Sequence, residues 1–210
     1  MRALDLFCKA GGVTKGLQRA GFYVVGVDIE PQKHYCGDEF FQADALAFPL
    51  EGFDLICASP PCQAYTRLKN IRGNGHLHPQ LIEATRARLK TSGTPYVIEN
   101  VPDAPLNDPV MLCGTMFPPL KVYRHRLFEC SWARLLPPAA CNHTWKMGAS
   151  KGAYHRLDES EFITCCGHSF QAKSGRIAMG IDWMTRDEMA QAIPPAYSEW
   201  IARQFLEAQP

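Results

Sequence analysis

No apolar run in this sequence approaches the length needed to cross a membrane, and no internal repeat or linker divides it. Net charge is nearly absent as well: 22 Lys and Arg against 21 Asp and Glu leave +1, which by itself argues neither for nor against a nucleic-acid partner. The nine cysteines are an odd number at irregular spacing, so no disulfide framework can be read from them. No signal segment precedes Leu4-Asp5-Leu6-Phe7, and the thiols are expected to stay reduced in a cytoplasm. The G-x-G-x-x-G fingerprint is also missing, since Gly11, Gly12 and Gly16 do not fit its spacing, and this disfavours a nicotinamide oxidoreductase. What remains is a chain of 210 residues, enough for one domain with a full core and no staples.

The charge is unevenly distributed. Residues 1–60 carry five basic and eight acidic side chains, and residues 157–210 carry four and eight. Between Ala64 and Pro95 lie Arg67, Lys69, Arg72, Arg86, Arg88 and Lys90 against the single acid Glu83. From Lys121 to Arg156 lie Lys121, Arg124, Arg126, Arg134, Lys146, Lys151 and Arg156 against Glu129. Two basic segments of this kind suit a polyanionic partner that the neutral total conceals, although Arg86, Arg88 and Lys90 equally fit an ordinary solvated helix face.

Residues 3–7 read as a first strand running into a glycine-bearing turn, then a helix ending near Ala20-Gly21. Phe22 to Asp28 is a second strand. Asp28 falls 21 positions after Phe7, where an acid in a βαβ unit is placed to bind ribose hydroxyls. Phe40 to Ala45 reads as a short third strand, whose Asp44 either bonds an adenine amino group or caps the next segment. Asp54 to Ala58 is a buried strand broken by Pro60-Pro61, and Cys62 sits just past its end. In an open α/β sheet that is where ligands gather, so the thiol is either a substrate-facing group or one more small buried hydrophobe. A long polar stretch from Gln63 to Pro79 has the character of a lid. Gln80 to Leu89 is helical, and Pro95 to Pro102 is an apolar strand carrying Glu99, a carboxylate that burial makes costly unless something compensates it. Tyr123 to Glu129 alternates like a strand, with Arg124 and Arg126 on one face. From Leu135 to Ser174 the pattern is irregular, with a strand at Phe162 to Cys165. Met184 to Leu206 closes the chain with one helix before and one after Ile193-Pro194-Pro195.

Taken together these pieces resemble the cytosine-C5 methyltransferases. Asp5-Leu6-Phe7 with Gly11-Gly12 is similar to the family's cofactor-binding motif, and Pro61-Cys62-Gln63 to its nucleophile motif. Glu99-Asn100-Val101 resembles the motif supplying the catalytic acid, Arg124-x-Arg126 the arginine motif, and Met184 to Trp200 the last two motifs, all in the family's order. The resemblance implies an α/β fold, the doubly wound, mostly parallel sheet of S-adenosylmethionine-dependent methyltransferases, with a small irregular target-recognition insertion. It divides the chain into a cofactor-binding and catalytic core (1–130), a reduced target-recognition region (131–175) and a C-terminal segment returning to the core (176–210). It also implies methyl transfer from S-adenosylmethionine to carbon 5 of cytosine in DNA, with the base flipped out and Cys62, Glu99, Arg124 and Arg126 doing the chemistry. Asp5, Phe7, Gly11, Gly12, Asp28, Ile29, Asp44, Pro60 and Gln191 would hold the cofactor. A bacterial or phage-infected cytoplasm is the setting such a small enzyme suits.

Two departures from the family pattern bear on the cofactor. Lys9 stands where a glycine is usual, and its ammonium would repel a sulfonium by about 1 kcal/mol at a separation near 4 Å in water, so it is expected to point at a carboxylate or phosphate. Ala190-Gln191 replaces a Gly-Asn pair. Together they admit a carboxylated relative of S-adenosylmethionine as an alternative cofactor. RNA, a free pyrimidine nucleotide, or a catalytically silent nucleic-acid-binding role are the alternative functions. Cys141, His143, Cys165, Cys166 and His168 have the chemistry of zinc ligands. However, Cys141-x-His143 is a poor spacing, and Cys165-Cys166 in a strand would face opposite sides, so the sequence assigns no metal.

Overall fold

The computed structural model describes residues 1–65, 78–144, 146–147, 161–167 and 169–209. Its centre is a seven-stranded sheet in the order β3-β2-β1-β4-β5-β7-β6. The strands are β1 (Arg2–Leu6), β2 (Tyr23–Asp28), β3 (Glu39–Gln42), β4 (Leu55–Ala58), β5 (Tyr96–Asn100), β6 (Val110–Leu112) and β7 (Arg126–Cys130). The first five run parallel, and β7 pairs antiparallel with both β5 and β6. Near-continuous apolar runs such as Leu55-Ile56-Cys57-Ala58 follow from this arrangement, because a parallel strand covered on both faces has no side that meets water.

Residue parity sorts the core into two layers. Ala3, Leu55, Cys57 and Val97 face one side, packed by α1 (Gly12–Arg19) and by the C-terminal helix Pro195–Glu207. Leu4, Leu6, Ile56, Ala58 and Ile98 face the other, packed by α2 (Ile82–Ser92). The remaining helices are α3 (Ala172–Met179), α4 (Arg186–Gln191) and the C-terminal α5 just named. A capping box starts α4: Glu188 N–H donates to the Thr185 hydroxyl, and the Glu188 carboxylate accepts from Thr185 N–H. Helix α5 returns beside α1, where Ser198 Oγ donates to Val13 O at 2.9 Å. A two-stranded parallel pair, β8 (Lys146–Met147) with β9 (Glu161–Phe162), lies outside the main sheet. No described helix is long and apolar enough to cross a membrane.

Two expectations are corrected here, and two elements were not anticipated. The alternating stretch from Tyr123 is extended in pattern, but regular pairing begins only at Arg126, so Arg124 precedes the strand and does not share a strand face with Arg126. The third strand stops at Gln42, and Asp44 lies in the turn beyond it. Strand β6 and helix α3 have no counterpart in the sequence reading, because three residues on a sheet edge and eight in an irregular region carry too little periodicity to stand out.

Candidate active site

The strand order reverses between β1 and β4, and the crevice outside their carboxyl ends is where an open α/β sheet receives its ligand. On the β1 side the chain leaves Leu6 through Phe7 (φ 62°), Lys9 (φ 47°) and Gly11 (φ 86°), three left-handed residues in five. Such a conformation costs about 1–3 kcal/mol at a non-glycine residue and tends to gather at functional sites. The turn is tied to β2: Cys8 N–H donates to Val27 O at 3.1 Å, and Lys9 N–H donates to Asp28 Oδ2 at 3.0 Å. The Lys9 ammonium lies 3.6 Å from Asp28 Oδ1, which is the carboxylate its charge was expected to find. Beneath the turn, buried Asp5 accepts from Thr14 N–H and Thr14 Oγ1 at 3.0 and 2.6 Å, and burial pushes its carboxyl up to about 7.

On the β4 side, Ser59 N–H bonds Leu6 O, and the chain turns through Pro60-Pro61 to Cys62, whose carbonyl accepts from Tyr65 N–H at 2.9 Å. The Cys62 thiol is half-buried. Its proton affinity is raised first by that burial and then by the Glu99 charge, and lowered by Arg126 and Arg124. Glu99, on β5, is buried, and Arg126 Nε at the start of β7 lies 3.0 Å from its Oε1. Burial raises the Glu99 carboxyl, with Arg126 the largest opposing influence. The thiol, carboxyl and guanidinium are therefore close enough to feel one another's charge. They come from the turn after β4, from β5 and from the start of β7, three strands that the sheet places side by side. Such a group can add a sulfur to an electrophilic carbon while protonating and polarising the same ring.

A family model for C-5 cytosine-specific DNA methylases matches residues 1–105, half of the chain. The chain belongs to the C-5 cytosine-specific DNA methylase family. No curated protein sequence matches it. Its structure resembles that of a candidate DNA modification methyltransferase encoded within an E. coli prophage, with 14% identity, TM-score 0.66 and 99% of each chain covered. It also resembles the Dnmt2 methyltransferase of S. pombe (13%, TM-score 0.62, 100% of this chain and 99% of that one) and the Entamoeba histolytica methyltransferase EhMeth (9%, TM-score 0.62, the same coverage). At these identities the likeness establishes the fold, that of S-adenosylmethionine-dependent methyltransferases.

The donor set at the ends of β1 and β2 suits that cofactor. Ile29 is 66% exposed, next in the chain to the buried Asp28, and Phe7 is half-buried in the turn that Cys8 and Lys9 tie to the end of β2. Asp28 accepts from Lys9 N–H and Glu30 N–H, and a carboxylate with about four lone-pair sites retains capacity for a hydroxyl. Asp44 is exposed and caps its own turn, accepting from Leu46 N–H at 2.9 Å. Gly12 is needed by the protein's own packing, since a Cβ there would sit 2.5 Å from Ile193 O. Gln191 is exposed at the end of α4.

In this methylase two groups of arginines turn out differently from their sequence appearance. Arg124 is buried, and its Nη1 and Nη2 donate to Cys165 O (2.6 Å) and Ala190 O (2.8 Å), while Arg126 alone pairs with Glu99. Arg86 is buried against Glu129 through Nε and Nη2 at 2.9 and 2.8 Å, and it also pairs with Glu83. Arg88 donates to Ala45 O and Phe48 O. The solvated helix face is thus corrected for Arg86, whose charge is met by Glu129 and Glu83, while half-buried Arg88 rests its guanidinium on main-chain carbonyls. Arg67, Lys69, Arg72, Lys151, Arg156, His168 and most of the expected lid lie outside the described residues. Asn100 is a residue the sequence reading quoted but gave no task. It is buried, and its Nδ2 donates to Pro60 O at 2.9 Å, fastening the Cys62 turn to β5. An amide following an acid inside an apolar strand was the available signal.

Proposed function

We propose that this protein transfers a methyl group from S-adenosylmethionine to carbon 5 of cytosine in DNA through a temporary bond between Cys62 Sγ and carbon 6. The observation that carries the reading is the pairing of Glu99 with Arg126 at 3.0 Å within electrostatic reach of the Cys62 thiol. Carbon 5 of cytosine is too weak a nucleophile to react unaided. Cys62 gives its proton to solvent, and its thiolate sulfur bonds carbon 6. The ring's π electrons move toward carbon 5 and N3, and N3 takes the proton of the Glu99 carboxyl. Burial favours the protonated Glu99 that this step requires. Arg126 faces the ring's O2 side and offsets the charge of the attacking thiolate. S-adenosylmethionine, when bound, supplies the electrophilic methyl group. Once carbon 5 carries the methyl, a base removes its remaining proton, the carbon–sulfur bond breaks, and Glu99 recovers its proton from N3.

The other residues act by holding. Asp28 takes the ribose hydroxyls, Ile29 and Phe7 flank the adenine, and Asp44 bonds its amino group. Asp5, the Gly11-Gly12 turn, Pro60 and Gln191 complete the cofactor's surroundings. Since Lys9 is already held by Asp28, ordinary S-adenosylmethionine is the cofactor proposed. Arg124 is a positioning residue that fixes the chain before Arg126. A target base cannot react inside a duplex, so the cytosine must be flipped out. Incubation with DNA, RNA and free nucleotides in the presence of labelled S-adenosylmethionine tests the substrate, with label expected on DNA cytosine. A DNA oligonucleotide carrying 5-fluorocytosine should trap a covalent adduct, because fluorine cannot leave as a proton does. An adduct that persists in Cys62→Ala would refute the assignment, and label on RNA alone would move the substrate.

A further inference from the structure

Four ligand atoms that the methylation chemistry does not use lie within 4.8 Å of one another: Cys113 Sγ, Cys141 Sγ and one ring nitrogen each of His125 and His143. Cys141 Sγ is 3.2 Å from both His125 Nε2 and His143 Nε2, and Cys113 Sγ is 3.4 Å from His143 Nε2. A tetrahedral zinc ion, with Zn–S of about 2.3 Å and Zn–N of about 2.0–2.1 Å, separates its sulfur and nitrogen ligands by about 3.6 Å. Three of the six ligand pairs thus stand close to that separation already, and the other three are no more than 4.8 Å apart, so modest side-chain adjustment closes the four atoms on one ion. Two thiolates and two imidazoles also balance the charge of a dication. We infer that Cys113, His125, Cys141 and His143 form a structural zinc site.

The topology explains how four residues from distant parts of the chain converge. Leu112 pairs with Arg126 across β6 and β7, so Cys113 and His125 are the next positions along that same pairing. Cys141 and His143 arrive from the segment after β7, which has neither helix nor strand between 131 and 144. Trp132 and Leu135 pack its first half on the core, but residues 136–140 and 142–144 are exposed, Leu136 at 80%, so apolar burial gives little reason for the Cys141-to-His143 end to stay there. Supporting contacts surround the cluster: Thr115 Oγ1 donates to Cys141 Sγ at 3.8 Å and accepts from Asn142 N–H at 3.2 Å. Tyr123 packs on the His143 ring with centroids 4.5 Å apart, and the His125 and His143 rings are stacked. Partners of this kind orient metal ligands. The ion would fasten the 131–144 segment to the sheet edge beside Arg126, whose Nη1 donates to His125 O at 2.8 Å. The ligand set also departs from the expectation of no metal. Among the candidates considered there, Cys165 and Cys166 stand outside the cluster.

The test is direct and independent of methyl transfer. The full chain, expressed in zinc-supplemented medium and purified without a chelator or a histidine tag, should carry one zinc per chain by inductively coupled plasma mass spectrometry. Cobalt in its place should give tetrahedral d–d bands and thiolate-to-cobalt charge transfer. Cys113→Ser, Cys141→Ser and His143→Asn should each lose the metal, while Cys62→Ala, Cys165→Ser and Cys166→Ser keep it. Should the cysteine variants fail to fold, exposed His143→Asn and the fall in Tm of the wild type on adding a chelator decide the matter. Metal-free wild type that melts identically with and without zinc would overturn the inference. So would a cobalt spectrum without thiolate bands, zinc retained by Cys141→Ser, or a Cys113–Cys141 disulfide seen by mass.

Discussion

Replacing Arg126 by methionine keeps most of the side chain's length and apolar stem and removes the cation 3.0 Å from Glu99 Oε1. Two unit charges about 4 Å apart at an effective dielectric of about 20 interact by roughly 4 kcal/mol, a ceiling that solvation reduces. The pair is well shielded, with side chains 16% and 10% exposed, so a sizeable part of that interaction survives. Without Arg126 the Glu99 carboxyl holds its proton to higher pH. The Cys62 thiol also loses the larger of the two cations that favour its ionised form. Addition to carbon 6 needs a thiolate and a protonated Glu99 together, so its rate rises with pH through one group and falls through the other. In Arg126→Met both limbs should move to higher pH, and the maximum should drop by about 10²–10³, as when one preorganised donor is removed from an oxyanion site. The assay is the single-turnover rate of adduct formation with 5-fluorocytosine DNA across pH. Arg126→Lys, which keeps the charge but not the planar fork, should leave the profile in place and recover part of the rate. A variant within about threefold of wild type, a barrier change below 1 kcal/mol, would refute the reasoning, as would a profile that does not move.

Three further outcomes concern the scaffold. Arg86→Met leaves the Glu129 carboxylate buried without its bidentate partner and should cost about 3–5 kcal/mol, lowering Tm by roughly 6–20 °C at 2–4 °C per kcal/mol. Arg86→Met combined with Glu129→Met should recover much of that loss by calorimetry, whereas a single variant melting within about 2 °C of wild type would contradict it. Asp5 is raised from 3.8 to about 7, so the folded state binds its proton more tightly than the unfolded chain. The stability this confers is complete below about pH 4 and is lost as pH rises through 7. Asp5→Asn still accepts from Thr14 and cannot ionise, so its stability relative to wild type should grow between pH 4 and 8, by at most about 4 kcal/mol. Parallel urea curves at both ends of that range check this, and a constant difference would refute it. Asn100→Ala strips Pro60 O of its donor, at about 1–3 kcal/mol in stability, and loosens the Cys62 turn. It should slow adduct formation more than it weakens cofactor binding, and titration calorimetry beside the single-turnover rate separates the two.

Much of this protein could be read from its residue order because the relevant physics is local. Short runs apolar on both sides, such as Leu55 to Ala58 and Tyr96 to Asn100, have few fates other than interior parallel strands. A proline pair ends the first run at Cys62, and an acid inside the second marks Glu99. Those features leave Cys62 open between site and core, and it is the resemblance of five motifs in order that points to the family and nominates the thiol, the carboxyl and Arg126. Charge was less legible. Arg86 on its helix looks like any solvated arginine until Glu129, 43 residues away, is brought beneath it, and Arg124 looks like a partner of Arg126 until its guanidinium is seen on two main-chain carbonyls. The Cys113, His125, Cys141 and His143 cluster has no ligand spacing to betray it, because only the β6–β7 pairing and the returning segment assemble it. Local pattern determines which segments become strands and which residue types end them. Which charges neutralise one another, and which sulfurs and imidazoles converge, is decided by contacts between segments far apart in the chain, and only the folded sheet brings those together.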